Sequence, residues 1–158
     1  MRTAAACFAL IVCSVTAGWT AEPAEPDFAE IREVKSLFDK YKRMESDFDP
    51  SLADLYSDEV VIRITRKYPD GAARVMTIPA KQYKQLIRTA MPAAKARGDT
   101  NVYKNSTYSR DGDGVRIKSS RYSNLKKYES PISILVRPNK LGEWRITEEL
   151  SESRVLAD

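Results

Sequence analysis

Between Thr100 and Leu150 the chain carries four stretches of strand chemistry in succession, and everything before them is dominated by helix signals. The strand runs are 100–110, 115–128, 132–138 and 143–150. Turn residues sit between them at Asp111-Gly112-Asp113-Gly114, near Ser130-Pro131 and at Asn139–Gly142. Consecutive strands joined by short turns pair antiparallel, and one face of such a sheet must be covered. The apolar material available for that cover lies in the helices upstream. The expected architecture is therefore α+β, with the four strands curling over a helical bed and leaving a pocket at the open end.

The upstream half supplies that bed. Phe28, Ile31, Val34, Leu37, Phe38, Tyr41 and Met44 recur at helical spacing, with Lys35, Asp39, Lys42 and Arg43 opposite, so the pattern predicts a helix over 27–46. Asp27 and Glu30 have the D-x-x-E spacing of a capping box. Asp49-Pro50 starts a short second helix that points Leu52, Leu55 and Tyr56 inward. The β-branched run 59–67, the Tyr68-Pro69-Asp70-Gly71 turn and the run 72–78 read as a hairpin. Pro79 opens a third helix with Tyr83, Leu86, Ile87, Ala90 and Met91 at helical spacing. Pro92 breaks or kinks it, and Gly98 stops it.

The first residues have targeting character. Met1-Arg2 precede an uncharged run to Ala21 centred on Phe8, Leu10, Ile11 and Val12. One positive charge, a short apolar core and small residues near the end describe a secretory signal peptide, with cleavage expected near Ala17 to Ala21. The apolar core is too short for a membrane span. A lipid anchor on Cys13 is the alternative. The domain plan is a signal peptide at 1–21, a Pro-rich linker at 22–26, a folded domain at 27–150 and a polar tail at 151–158. Export predicts a periplasmic or secreted protein.

Residue inventory excludes several chemistries. The chain has no histidine, and its two cysteines, Cys7 and Cys13, both fall in the segment expected to be removed. Cysteine nucleophiles, Ser-His-Asp triads and zinc sites are thereby excluded from the mature part, and no metal or cofactor is expected. The net charge of +4 is spread evenly, without a basic stripe interleaved with aromatics, so no nucleic-acid partner is implied. Arg97-Gly98-Asp99 is explained by a helix stop. The sequon Asn105-Ser106-Thr107 has meaning only in a eukaryotic secretory route. Asp111–Gly114 lacks the distal ligands of a calcium loop.

The order helix, short helix, hairpin, helix, four antiparallel strands resembles the cone-shaped nuclear transport factor 2-like (NTF2-like), or SnoaL-like, superfamily. The residues that carry the resemblance are FAEIREVKSLFDKYKRM at 28–44, SLADLYSDEVVIRI at 51–64 and the closing GEWRITEEL at 142–150. The resemblance implies a strongly curved sheet of about six strands around the first and third helices, with a pocket where the cone opens. Many members dimerise through the outer sheet face. The superfamily includes isomerases, dehydratases, cyclases and exported proteins with no known reaction, so it implies fold more than activity.

Strand alternation places Trp144, Ile146 and Glu148 on one face. If that face looks into the cone, Glu148 is a desolvated carboxylate and a candidate base. The alternative is a fray or bulge that leaves Glu148 solvated or paired with an arginine, Arg121 being the expected partner on the face of Val115 and Ile117. Tyr41, on the apolar face of the first helix, matches the tyrosine that donates to substrate oxygen in ketosteroid-isomerase-like members; the alternative is a core tyrosine. The expected pocket set is Tyr41, Tyr108, Arg121, Trp144 and Glu148. Tyr103, Asn105 and Thr107 are expected on the outer face, as a dimer surface. These residues support an exported domain that binds a small organic ligand or a protein partner without catalysis. The alternatives are an isomerase- or dehydratase-like enzyme using Glu148 and Tyr41, and a structural dimer module of an envelope assembly.

Overall fold

The computed structural model describes residues 27–155, so the expected signal peptide, the linker and the last residues of the tail lie outside the described residues. Helix α1 spans Phe28–Ser46 and helix α2 spans Ala80–Arg97, with a 3₁₀ turn at Pro50–Leu55 between them. The strands are β1 (Tyr56–Lys67), β2 (Ala73–Ile78), β3 (Asn101–Asp111), β4 (Gly114–Ser123), β5 (Tyr128–Pro138) and β6 (Trp144–Arg154). They form one six-stranded mixed sheet in the order β2-β1-β6-β5-β4-β3. The last four strands make the expected antiparallel meander, and β6 inserts beside β1 in parallel.

The core sits between the inner sheet face and the helices. Val34, Phe38 and Tyr41 of α1 pack with Leu52, Leu55 and Tyr56, with Ile62 of β1, Ile87 of α2, and Val115, Ile117, Ile134, Val136 and Ile146 of the meander. Each fully buried side chain of this size contributes about 1.5–3 kcal/mol from removal of apolar surface from water. Phe38 is fully buried and stacks on Tyr41, while Tyr103 meets both rings edge-on at 5.5 and 6.0 Å.

Local expectations are corrected at several points. Phe28 is 82% exposed, because the stripe meets the sheet only from Ile31 onward. Asp27 makes no side-chain cap bond, and Glu30 pairs with Arg110 instead. Helix α2 runs on through Pro92, whose missing N–H falls on an exposed face, and ends at left-handed Gly98 as its C-cap. The turn expected at Ser130-Pro131 lies at 124–127, where Lys127 adopts φ 57°. Ser130 and Pro131 belong to β5, opposite Arg121 and Ser120. Strand β6 continues to Arg154, past Leu150, where the tail was expected to begin.

Candidate functional site

Two bulges decide which side chains enter the cone. On β6, Ile146 pairs with Val136 but Glu148 pairs with Leu135, so Thr147 is an extra residue and alternation is reset. Ile146 and Glu149 therefore share the inner face, and Glu148 turns outward. On β3 the register shifts between Lys104 and Thr107, with Asn105 at φ 54°. Tyr103 lies inside, before the bulge, and Ser106 inside, after it, where its hydroxyl meets Ser119 Oγ at 3.0 Å.

Glu149 is only 2% exposed. Tyr56 donates its hydroxyl to Oε2 at 2.5 Å and Tyr83 donates to Oε1 at 3.1 Å, so each carboxylate oxygen has a phenolic donor. Burial, followed by the negative charge of Glu149, raises both tyrosines well above their ordinary pKa. The two phenols therefore stay protonated and remain donors.

A second carboxyl stands nearby. Glu45 falls one turn beyond Tyr41 on α1; Tyr103 donates to its Oε2 at 2.8 Å and Asn101 to its Oε1 at 3.0 Å. Burial raises the Glu45 pKa above its ordinary value, opposed by the bonds from Tyr103 and Asn101 and by the charge of Arg121. Arg121, on the inner face of β4, donates to the Glu152 carbonyl at 3.1 Å. Among the described residues no carboxylate lies within ion-pair distance of it. Burial pulls its pKa down, but the surrounding Tyr103, Tyr41, Glu149 and Glu45 outweigh this and the guanidinium stays charged.

Tyr41, Glu45, Tyr56, Tyr83, Asn101 and Arg121 wall a pocket of about 250 Å³ between α1, α2 and the ends of β3 and β4, and Glu149 and Tyr103 are not among its lining residues. Its polar wall includes Tyr41, Glu45, Tyr56, Tyr83 and Arg121, and its apolar wall Leu52, Ile87 and Met91. A smaller, more polar annex of about 200 Å³ opens on the far side of Arg121.

Of the residues expected in the pocket, Tyr41 and Arg121 line it. Glu148 does not. It faces outward, bonded to Arg116 at 2.8 Å and 4.0 Å from Arg63, so its expected partner Arg121 is also corrected. Trp144 is half-buried beside α1 and donates Nε1–H to Glu33 at 2.7 Å. Tyr108 packs against the α1 side of the core; burial, then Asp39, raises its pKa. Neither lines the pocket. Tyr103 is corrected from the outer to the inner face, whereas Asn105 and Thr107 stay outside and exposed. Sequence reasoning missed Glu45, Tyr56, Asn101 and Glu149 as site residues. Glu45 had a readable signal, since it continues the Val34, Phe38, Tyr41 spacing. Glu149 had none, because its orientation depends on the extra residue at Thr147.

Three solved structures show what the fold is similar to. An NTF2-like protein of unknown function from Pseudomonas putida superposes with a TM-score of 0.62 at 14% identity, over 82% of this chain and 89% of that one. The chain has the nuclear transport factor 2-like fold. An NTF2-like protein from Cytophaga hutchinsonii matches at TM-score 0.56 and 9% identity, over 81% of this chain and 99% of the other. A protein from Catenulispora acidiphila, solved in complex with S-DNPA, matches at TM-score 0.53 and 11% identity, over 80% and 94%. No family model and no curated protein matches the sequence. At these identities the likeness is one of NTF2-like fold. Among the described residues no helix is long and apolar enough to cross a membrane.

Proposed function

We propose that this NTF2-like domain binds a small organic ligand in the pocket between α1 and α2, without turning it over. The observation that carries the reading is the engagement of two carboxylates, Glu45 in the pocket wall and Glu149 behind it. Both Glu149 oxygens are held by Tyr56 and Tyr83, and both Glu45 oxygens accept from Tyr103 and Asn101, while Leu52, Ile87 and Met91 supply an apolar wall. A concave apolar wall with a few oriented polar groups is the usual form of a small-molecule site. Export into the periplasm or medium, and a homodimer formed through the outer sheet face that carries Asn105 and Thr107, complete the proposal. A dimer or an envelope module without a ligand is the structural alternative.

A second reading rests on Glu45. A pocket carboxyl with raised proton affinity beside Tyr41 and Tyr103 is the arrangement of an acid–base catalyst of the isomerase or dehydratase type. It replaces Glu148, which lies on the wrong face for that role.

The test is binding of 2-naphthol, a neutral two-ring fluorophore suited to a pocket of this size. Saturable one-to-one binding is expected, lost in Ala90→Trp, which fills the pocket from an exposed helical position. Failure to bind, or binding unchanged in Ala90→Trp, overturns the reading.

A further inference from the structure

Arg121 stands between the main pocket and the annex, and lines both. On the annex side, Ser130 lies opposite it in the β4–β5 register, only 2% exposed. The Ser130 Oγ is the one buried side-chain polar atom among the described residues without a hydrogen-bond partner. A buried hydroxyl left unpaired is unfavourable, and a ligand atom in the annex would supply the missing partner. Ser123 and Lys126 stand on the same wall, and Lys126 is exposed and forms no ion pair among the described residues. One acid, Asp99, lines both the annex and the main pocket and lies 4.0 Å from Arg97.

From this arrangement we propose that Arg121, Lys126 and Ser130 form an oxyanion site, and that the ligand is amphiphilic. Its apolar body lies against Leu52, Ile87 and Met91, and its carboxylate crosses Arg121 into the annex. The inference rests on the small-molecule reading and adds a chemical class to it, an organic acid. A guanidinium already turned toward two cavities can accept a carboxylate without a rearranged ion pair, because none has to be broken.

The test compares 2-naphthoate with 2-naphthol on the full folded domain, by fluorescence titration at neutral pH. Naphthoate is expected to bind tenfold or more tighter, the effect of about one charge-assisted bond. Arg121→Gln is expected to bring the two affinities together. Lys126→Gln, at an exposed position where folding is not at stake, is expected to reduce the naphthoate preference severalfold. Equal affinities in the parent protein, or a preference unchanged in Lys126→Gln and in a folded Arg121 variant, overturn the oxyanion site and leave the small-molecule reading standing. Inorganic phosphate that binds as tightly as naphthoate identifies a free-anion site and overturns the amphiphile. If neither naphthol nor naphthoate binds, both readings fall.

Discussion

The Tyr56 hydroxyl donates to Glu149 at 2.5 Å, across 93 residues of chain, and joins the first residue of β1 to the inner face of β6. That bond connects the two elements whose pairing is parallel and most distant in sequence. It also fixes the floor of the pocket. Removing its donor leaves a buried carboxylate oxygen short of a partner. Tyr56→Phe is expected to destabilise the domain by about 1–3 kcal/mol, measured as a shift in urea midpoint. Tyr83→Phe, whose bond is longer at 3.1 Å, is expected to cost less. The reverse order would mean that Tyr83 is the principal anchor.

The neighbouring glutamates should behave in opposite ways. Glu149 is buried among tyrosines, and Glu148 lies on the outer face with Arg116. Glu149→Ala is expected to cost about 3 kcal/mol or more, from an emptied polar site with two stranded phenols. Glu148→Gln is expected to cost about 1 kcal/mol or less and to leave 2-naphthol affinity unchanged. Thermal unfolding and fluorescence titration check both. A ligand-binding loss confined to Glu148→Gln would place the bulge elsewhere than Thr147.

Glu45 makes stability depend on pH. Its folded pKa lies above its ordinary value of 4.5, chiefly through burial. The folded state therefore holds this proton more tightly than the unfolded chain does. For this group alone, stability is greatest below about 4.5 and falls as pH rises through the window up to the folded pKa. Urea midpoints of the parent and of Glu45→Gln, taken at intervals from about pH 4 to 7, should drift apart as pH rises, the parent losing stability relative to the variant. A constant difference would remove the burial effect on Glu45.

Phe38 tests the core. It is fully buried under Tyr41 and Tyr103. Phe38→Ala is expected to cost about 3–5 kcal/mol, enough to threaten folding, and Phe38→Leu considerably less. Calorimetric midpoints give the comparison. Near-neutral Phe38→Ala would mean that α1 does not bear on the sheet as described.

The amphipathic stripe of α1, the hairpin at Tyr68–Gly71 and the meander were legible in the sequence because period and turn chemistry report local conformation directly. The side-chain directions at the open end were not. A single inserted residue inverts every later position on a strand, and Thr147 and Asn105 carry no marked signature of a bulge. Unbroken alternation turns Glu148 inward and Tyr103 outward; for Glu148 the alternative of a bulge and an arginine pair is the one observed, with Arg116 as the partner. On β4, where no bulge intervenes, Arg121 could be followed from Val115 by simple alternation. The β4–β5 turn departs from expectation because Ser130-Pro131 has turn chemistry, whereas the observed turn passes through Lys127, a residue seldom found at positive φ.

Because β6 is inserted between β1 and β5, the sheet exists as two unconnected pieces until the final strand arrives. Everything up to Gly142 supplies a hairpin and a three-stranded meander, each with a bare edge where β6 belongs. The 11 residues of β6 are then the keystone that joins the two pieces into one sheet.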